Sequence, residues 1–247
     1  MILLIDIGNT RLKWATTDGK VLGAQQAIVR SGVGYDELAA LVLNEIQPSR
    51  IVVSNVAGQM VEQELTRALG QRTSVPIEFV RSTASACGVT SAYPQPERLG
   101  TDRWMSVIAA HHLVGASCIA TFGTAMTIDA VAANGQHLGG VIVPGPQLMI
   151  DSLFANTSDL AQRSVGGNVA DDLFADNTLG AIHQGALHAC AALVERAYEV
   201  SERRMGSKPT LILSGGASEE IAKALRIPGK IIPDLVLQGL ARIALSH

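Results

Sequence analysis

The residues best suited to chemistry near the start of the chain are Asp6, Gly8 and Lys13. Asp6 follows the apolar run 2–5, so its carboxylate is expected at the end of a buried strand, where a ligand can approach. Gly8 has no side chain, which lets a phosphate oxygen reach backbone N–H groups. An acid among phosphate-binding groups suits Mg²⁺, held directly or through water. The alternative is an ordinary hairpin whose turn uses Gly8 and Asn9.

Glycines also mark the ends of later predicted strands, at 122–124, 139–140 and 214–216. The turn at 122–124 could hold a polyphosphate together with the first turn. The Ser-Gly-Gly turn at 214–216 could let a flat base lie against the backbone, because glycine lacks a Cβ. Each turn alone is also compatible with simple turn chemistry. Together they predict a nucleotide site, with Lys13 and helix N-terminal donors supplying positive charge.

Asp102 is the candidate general base, at the start of a predicted helix over 102–114. Phosphorylation of an alcohol needs a group that accepts the hydroxyl proton as the new P–O bond forms. The alternative is an acid that caps the helix or is favoured there by the helix dipole. The neighbouring Arg103 could form a two-pronged contact with a substrate carboxylate. The alternative for Arg103 is a surface ion pair.

Strand and helix patterns alternate through the first half of the chain, after three initial strands. This alternation favours parallel pairing in a mixed sheet. The segment 82–101 has no clear periodicity and is predicted to be a long functional connection. The predicted strands are 2–7, 11–17, 20–30, 50–56 and 77–80, and the predicted helices are 35–47 and 60–71.

The second half repeats this organisation. Gly123 corresponds to Gly8, and the hairpin turn Asn134-Gly135 corresponds to Asp18-Gly19. The repeat predicts two similar α/β lobes, residues 1–115 and 116–247. The elements predicted in the second half are strands over 117–131, 137–145, 208–216 and 230–235, and helices over 146–157, 178–204, 218–226 and 236–247.

Composition limits the class of protein. With 47% hydrophobic residues, 17% charged residues and a net charge of −3, the chain predicts a sizeable core and no nucleic-acid partner. The three cysteines are widely spaced and form no CxxC pair, which is typical of a reduced cytoplasmic protein. No apolar stretch is long enough to cross a bilayer, so no membrane partner is expected.

The order of these motifs resembles the actin, Hsp70 and sugar-kinase superfamily, and within it the type III pantothenate kinases. The resemblance covers nearly the whole chain, and its specificity comes from the motifs occurring in the family's order. The segments that carry it are Asp6-Ile7-Gly8-Asn9-Thr10, Tyr93-Pro94, Leu99-Gly100-Thr101-Asp102-Arg103-Trp104, Phe122-Gly123-Thr124-Ala125, Gly139–Gly145, Asn177–Ala181 and Leu213-Ser214-Gly215-Gly216.

The resemblance implies two duplicated RNase-H-like lobes and a homodimer that uses ATP and Mg²⁺ to phosphorylate pantothenate, the first step of coenzyme A synthesis. It makes Asp102 the catalytic base and Asp6 the Mg²⁺ residue, acting through water. The implied ATP- and phosphate-binding residues are Asp6, Ile7, Gly8, Asn9, Thr10, Arg11, Leu12, Lys13 and Thr124, with Ser214, Gly215 and Gly216 on the adenosine side. The implied pantothenate-binding residues are Tyr93, Gly100, Thr101, Asp102, Arg103 and Thr178.

One departure and two rival functions remain open. The family often has an acid two residues before the glycine of the second phosphate motif, associated with bound K⁺ or ammonium, where this chain has Thr121. A neutral hydroxyl coordinates such an ion only weakly, so the monovalent cation is in question. The rival functions are a non-catalytic transcription accessory factor of the same family, and a kinase of another small alcohol or sugar. The presence of Asp6, Asp102 and Arg103 favours an enzyme.

Overall fold

A computed structural model of the chain describes residues 1–44, 46–169 and 172–246. They form two units, each built on a five-stranded sheet. The first unit takes in Met1–Leu113, Asn134–His137 and the segment from Asp234, and the second takes in Val114–Ala133 and Leu138–Pro233. The predicted division into lobes 1–115 and 116–247 stays a prediction. Among the described helices, none combines the length and the apolar character needed to cross a membrane.

The sheet of the first unit has the spatial order β3-β2-β1-β4-β5. Strand β2 runs antiparallel to β1 and β3, whereas β4 runs parallel to β1 and β5 runs parallel to β4. The strands are β1 (Ile2–Ile7), β2 (Arg11–Thr17), β3 (Gln26–Val29), β4 (Arg50–Asn55) and β5 (Ile77–Phe79).

Helices α1 (Tyr35–Val42) and α2 (Gln59–Gly70) follow β3 and β4 in this unit. The connection 82–101, expected to lack regular structure, contains a small hairpin of β6 (Ser85–Ala86) and β7 (Val89–Thr90) and a 3-10 helix over Pro96–Arg98. It leads into α3 (Thr101–Val114).

The second unit repeats the strand order of the first, as β10-β9-β8-β11-β12. Strand β9 is antiparallel to β8, and β11 is parallel to both β8 and β12. The duplicated α/β fold with two mixed sheets and flanking helices is therefore confirmed. The elements are β8 (Ser117–Phe122), β9 (Ala125–Val131), β10 (His137–Pro144), α4 (Pro146–Asn156), α5 (Leu160–Arg163), α6 (Thr178–Met205), β11 (Thr210–Gly215), α7 (Ser218–Ala224) and β12 (Lys230–Ile231).

The last helix, α8 (Leu235–Leu245), packs against β1, β2 and β4 of the first unit. Alternate residues of β1, namely Leu3, Ile5 and Ile7, face a core that includes buried side chains of α1 and α2. Because side chains alternate across a strand, Leu4 and Asp6 lie on the opposite face of the sheet. The periodicity of β1 therefore directs the acid away from this apolar core.

Several predicted elements are shorter in the structure. The predicted strand 20–30 is regular only over β3, with a single bridge between Thr17 and Leu22. The predicted helix 35–47 ends at Val42, and its residue Glu45 lies outside the described residues. The predicted strand 230–235 is limited to β12. Edge strands and helix ends have few tertiary partners, so the hydrophobic pattern fixes their limits poorly.

Candidate active site

Asp6 is a buried acid at the end of β1, with only 7% of its surface exposed. Its neighbours across the sheet are Lys13 on β2 and Ser54 on β4. Residues directly opposite one another share a face, so the three side chains form one row. Burial raises the pKa of Asp6 from 3.8 to about 7; Lys13 lowers this pKa, Asp102 raises it and Ser54 lowers it. The predicted metal acid, Asp6, and the predicted base, Asp102, are therefore near enough for the charge of one to influence the pKa of the other.

Two atoms of this row lack a well-aligned hydrogen bond within the described part of the chain. They are Asp6 Oδ1 and Ser54 Oγ, and both are buried. Ser54 is close enough to Asp6 to lower its pKa, but the pair does not satisfy either atom by a well-formed bond. Buried polar atoms are normally paired, and a carboxylate oxygen is a preferred ligand for Mg²⁺ or its water. Asp6 therefore fits the metal role predicted for it.

The first turn, residues 8–10, joins β1 to β2. The Gly8 N–H closes the turn by donating to the Arg11 carbonyl at 2.9 Å. This donor, which the sequence suggested for phosphate, is therefore occupied within the hairpin. The side chains of Ile7 and Leu12, at the two ends of the turn, belong to the core. Asn9, Thr10 and Arg11 are exposed, and Lys13 is half-buried.

Arg30, which follows β3, contacts the first turn from the side. Its Nη1 donates to the carbonyls of Gly8 at 2.7 Å and Asn9 at 3.2 Å. Its backbone N–H donates to the Thr10 carbonyl at 2.9 Å. The sequence pattern gave no sign of this residue, because it lies 22 positions from Gly8 and only strand pairing brings it near.

Asp102 is the second residue of α3 and is half-buried. Its Oδ1 accepts the Arg103 N–H at 2.8 Å. A Cβ at Gly100 would lie 2.7 Å from the same oxygen, so a side chain there would displace the carboxylate. Thr101, the first residue of the helix, is buried. Asp102 therefore lies in the first helical turn of α3 and not at the helix cap. The glycine at position 100 leaves room for the Asp102 carboxylate.

Arg103 is only 5% exposed, so the alternative of a surface ion pair is wrong. Its Nη1 donates to the Tyr93 hydroxyl at 3.0 Å, and its guanidinium lies 5.8 Å from the centre of the Tyr93 ring. Tyr93 in turn stacks on His137, with ring centroids 6.3 Å apart. The structure thus brings together two predicted substrate residues, Tyr93 and Arg103, and adds His137, which the sequence pattern did not indicate.

In the second unit, the turn 123–124 joins β8 to β9. The Gly123 N–H donates to the Ala125 carbonyl at 3.1 Å, and the Gly145 N–H donates to the Thr124 carbonyl at 2.9 Å. A Cβ at Gly145 would approach the Gly123 carbonyl oxygen to 2.2 Å, so only glycine fits there. Thr124, the predicted phosphate residue, is exposed.

The Ser-Gly-Gly turn packs against the end of β8. Gly215 has a positive φ of 94°, and a Cβ there would approach the Phe122 carbonyl oxygen to 2.2 Å. The Gly216 N–H donates to the same oxygen at 2.9 Å. Apart from its two neighbours in the chain, no described residue comes within 4 Å of the place that a Cβ of Gly216 would take. The open space suited to a base therefore lies beside Gly216, while Ser214 is buried.

Thr178 begins α6, and the cap of that helix is Asn177, whose side chain accepts the Gly180 N–H at 2.9 Å. Thr178 is therefore the first residue of the helix and not its cap. Thr121, in the second sheet, lies opposite Thr127 on β9 and opposite Ser214 on β11. These three hydroxyl-bearing residues form a neutral row. The described residues of the two units contain no cluster of three or more His, Cys, Asp or Glu side chains that could hold a metal.

The chain was compared with known proteins. A profile of type III pantothenate kinases matches residues 2–200. A type III pantothenate kinase from Burkholderia mallei is 39% identical over 264 residues, covering 100% of both chains. Solved structures agree in fold. A protein described as a Baf family transcriptional activator from Campylobacter jejuni has a TM-score of 0.64 at 21% identity, covering 99% of this chain and 98% of that one.

A second solved structure, described as an N-acetylmannosamine kinase from Listeria monocytogenes, has a TM-score of 0.55 at 15% identity and covers 99% of this chain and 98% of that one. At such low sequence identity, the two structures support the fold alone. The family match extends over most of the sequence and agrees with the order of the motifs. The chain belongs to the type III pantothenate kinase family.

Proposed function

We propose that this protein transfers the γ-phosphoryl group of ATP to the primary hydroxyl of pantothenate, the first step of coenzyme A synthesis. Family membership supports the reaction. The structural observation that carries the proposal is the pair of acids in the first unit: Asp6 is buried at the end of β1 with an Oδ1 that has no well-aligned partner among the described residues, and Asp102 lies at the start of α3. A phosphoryl transfer needs one acid beside the metal and another beside the attacking hydroxyl.

In this proposal Asp102 accepts the proton of the pantothenate hydroxyl while the new P–O bond forms. In a loose transition state the proton leaves late, so a carboxylate suffices as acceptor. The helix N-terminus behind Asp102 favours its negative charge before the transfer. Tyr93, Gly100, Thr101, Arg103 and Thr178 bind pantothenate, and the buried guanidinium of Arg103 suits the pantothenate carboxylate.

The donor side uses the two hairpin turns. Asp6 holds Mg²⁺ through water, and the metal, when bound, neutralises phosphate charge. The residues from Ile7 to Lys13 and Thr124 hold the phosphates, and Ser214, Gly215 and Gly216 border the adenosine. The open space beside Gly216 supports the adenosine role of this turn.

A coupled assay with MgATP tests the reaction by comparing pantothenate with glucose and N-acetylmannosamine. We expect turnover with pantothenate, and Asp102→Asn should lower kcat by about 100-fold or more, because a general base is lost. Binding of the non-hydrolysable analogue AMPPNP should change little. Asp36→Asn is the matched control, because Asp36 is an exposed acid of the same unit, paired with Arg67 at 3.3 Å.

Absence of pantothenate turnover in the wild-type protein would refute the proposed reaction, and turnover of a sugar instead would favour a sugar kinase. Retained activity in the Asp102→Asn variant would remove Asp102 from the role of base. A transcription accessory factor would need none of this chemistry, so its test is the same assay. The fold that this chain shares with the Campylobacter protein does not favour the role of a transcription accessory factor.

A monovalent cation, K⁺ or ammonium, is a finer part of the proposal. Thr121 offers only a hydroxyl, and its sheet neighbours Thr127 and Ser214 are also uncharged. Such ligands cannot neutralise a cation, so we propose that any cation bound there is held weakly. Repeating the assay with Na⁺ in place of K⁺ measures the dependence. A strict requirement for low concentrations of K⁺ would contradict weak binding.

We also propose a cytoplasmic homodimer. The three cysteines are free thiols, and burial raises the pKa of Cys118 to about 12. Helix α3 offers little apolar surface for such an interface, because Trp104 and Ile108 are buried within the first unit. Sedimentation velocity measures the association, and a monomer at micromolar concentration would contradict it. The second unit offers exposed apolar side chains instead, at Val141, Ile142, Leu148, Leu153 and Phe174.

A further inference from the structure

Arg30 holds all three carbonyl groups of the first turn. Its guanidinium Nη1 donates to Gly8 O at 2.7 Å and Asn9 O at 3.2 Å, and its own N–H donates to Thr10 O at 2.9 Å. Arg30 follows β3, the edge strand of the first sheet, so this contact is made from beside the hairpin. One residue therefore fixes the orientation of the peptide groups at the tip of the turn.

The direction of these carbonyls determines where the neighbouring N–H groups point. In a trans peptide the C=O and the following N–H point in opposite directions. Because Gly8 O and Asn9 O are directed to Arg30, the N–H groups of Asn9 and Thr10 are directed away from it. Successive N–H groups on one side of a turn form a concavity that binds anions.

The charge of Arg30 adds a second effect. Carbonyl oxygens carry partial negative charge and repel a phosphate that approaches the turn. The guanidinium of Arg30 is a cation that lies against two of these oxygens, so it offsets their charge. Orientation and charge thus favour the same ligand, a polyphosphate.

We propose that Arg30 is a positioning residue for the phosphates of ATP, acting through the peptide groups of the first turn. This inference rests on the proposed function, which assigns the turn to the nucleotide. Arg30 differs from a catalytic residue because it contacts the turn and not the substrate. Its removal should therefore weaken the binding of nucleotide and leave the affinity for pantothenate unchanged.

The test compares Arg30→Met, Arg30→Lys and Arg50→Met. Methionine keeps the length and the backbone N–H but removes the donors and the charge, whereas lysine keeps both. Arg50 is the matched control, because its Nη1 donates to the Ala244 carbonyl at 2.8 Å in the same unit, away from the turn. Measurements are kcat, the KM values for ATP and pantothenate, the Kd of AMPPNP by calorimetry, and the urea midpoint.

Arg30→Met should raise the Kd of AMPPNP and the KM for ATP by about tenfold or more, the effect of losing hydrogen bonds from a charged donor. The KM for pantothenate should stay the same, and Arg30→Lys should recover most of the affinity for AMPPNP. Arg50→Met should lower the urea midpoint without selective loss of nucleotide binding.

If the wild-type protein binds AMPPNP, two results would overturn the inference. One is an unchanged Kd for AMPPNP in Arg30→Met, and the other is a parallel rise of both KM values that follows the fall in stability, as for a structural residue. Calorimetry separates this failure from that of the proposed function. If the wild-type protein binds AMPPNP without phosphorylating pantothenate, weaker binding by Arg30→Met supports the inference although the function fails. Absence of AMPPNP binding in the wild type overturns both.

Discussion

The turns at 8–10 and 123–124 occupy equivalent places in the two sheets, yet they are built from different residues. Each is anchored by a backbone N–H from the residue that follows the third strand of its sheet. Arg30 donates to Thr10 O and Gly145 donates to Thr124 O, both at 2.9 Å. The duplicated fold thus preserves one hydrogen bond while the side chains around it have diverged.

The anchoring residues differ in what they add to that bond. Arg30 brings a cation that binds two further carbonyls, and Gly145 brings no side chain, because a Cβ would approach Gly123 O to 2.2 Å. The first turn is also one residue longer than the second. A longer turn leaves carbonyls for a side chain to bind, and a shorter turn packs directly against the backbone of its neighbour.

The rows behind the turns differ in charge. Asp6 lies between Lys13 and Ser54, and the equivalent Thr121 lies between Thr127 and Ser214. Within the described residues, the row of the first sheet is therefore charged and that of the second is neutral. The comparison teaches that a duplicated scaffold can place charged side chains behind one turn only.

The sharpest test of this comparison replaces the central polar side chain of each row in turn. Asp6→Asn should lower kcat/KM by about 100-fold or more, since the residue proposed to hold the metal is lost. Thr121→Val should change kcat/KM only slightly, because it removes no charge. Steady-state kinetics with MgATP measures both variants, with circular dichroism as the control for folding. An equal loss of kcat/KM in the two variants would mean that both rows contribute to catalysis.

The packing difference between the turns can be tested with alanine. Gly145→Ala should lower the free energy of unfolding by about 2–4 kcal/mol, because its Cβ meets fixed backbone. Gly8→Ala should cost less, because its Cβ would meet the Arg11 carbonyl oxygen at 3.2 Å. Urea unfolding gives both values. Gly185→Ala is the control, since no described atom outside its own stretch of helix α6 lies within 4 Å of its Cβ position; a cost similar to that of Gly145→Ala would contradict the steric explanation.

The last effect, measured per pH unit, concerns the pH dependence of stability in the metal-free protein. Burial raises the folded-state pKa of Asp6 from 3.8 to about 7. Between these values the folded protein holds a proton that the unfolded chain has released, so unfolding releases it. The contribution of Asp6 to the free energy of unfolding therefore falls as pH rises from about 4 to 7, by about 1 kcal/mol per pH unit, and is constant above that range.

Urea midpoints at pH 5 and pH 8 in the presence of EDTA measure this contribution. Asp6→Asn should reduce the fall between the two pH values and be more stable than the wild type at pH 8. Thr121→Val should keep the wild-type slope, because threonine does not titrate. An Asp6→Asn variant with the same slope as the wild type would show that the charge of Asp6 is accommodated without cost.

Much of the fold follows from local pattern. Alternation placed Leu3, Ile5 and Ile7 on one face of β1 and therefore Asp6 on the other, and glycine spacing indicated both hairpin turns. The duplicated strand order was predictable for the same reason, because each half repeats strand, turn and strand. These features depend on residues close together in the chain, which is where hydrophobic periodicity and turn preferences act.

The details of the site depended on distant parts of the chain. Tyr93, Arg103 and His137 come together through packing between a loop, a helix and a strand. The cap of α6 is Asn177 and not Thr178, which only the helix geometry decides. The requirement for Gly215 comes from the Phe122 carbonyl of another strand. Local patterns carry no information about such contacts, because they are set by strand register and tertiary packing.

The sequence by itself determined the types of chemical group: two acids, a cation and glycine turns in the order of the family. Tertiary structure decided how those groups are used. Burial gave Asp6 its raised pKa, and the pairing of β3 with β2 brought Arg30 to the carbonyls of the first turn. The physical reason is that charge energies and hydrogen-bond directions depend on distances in space, which strand pairing fixes and residue order alone does not.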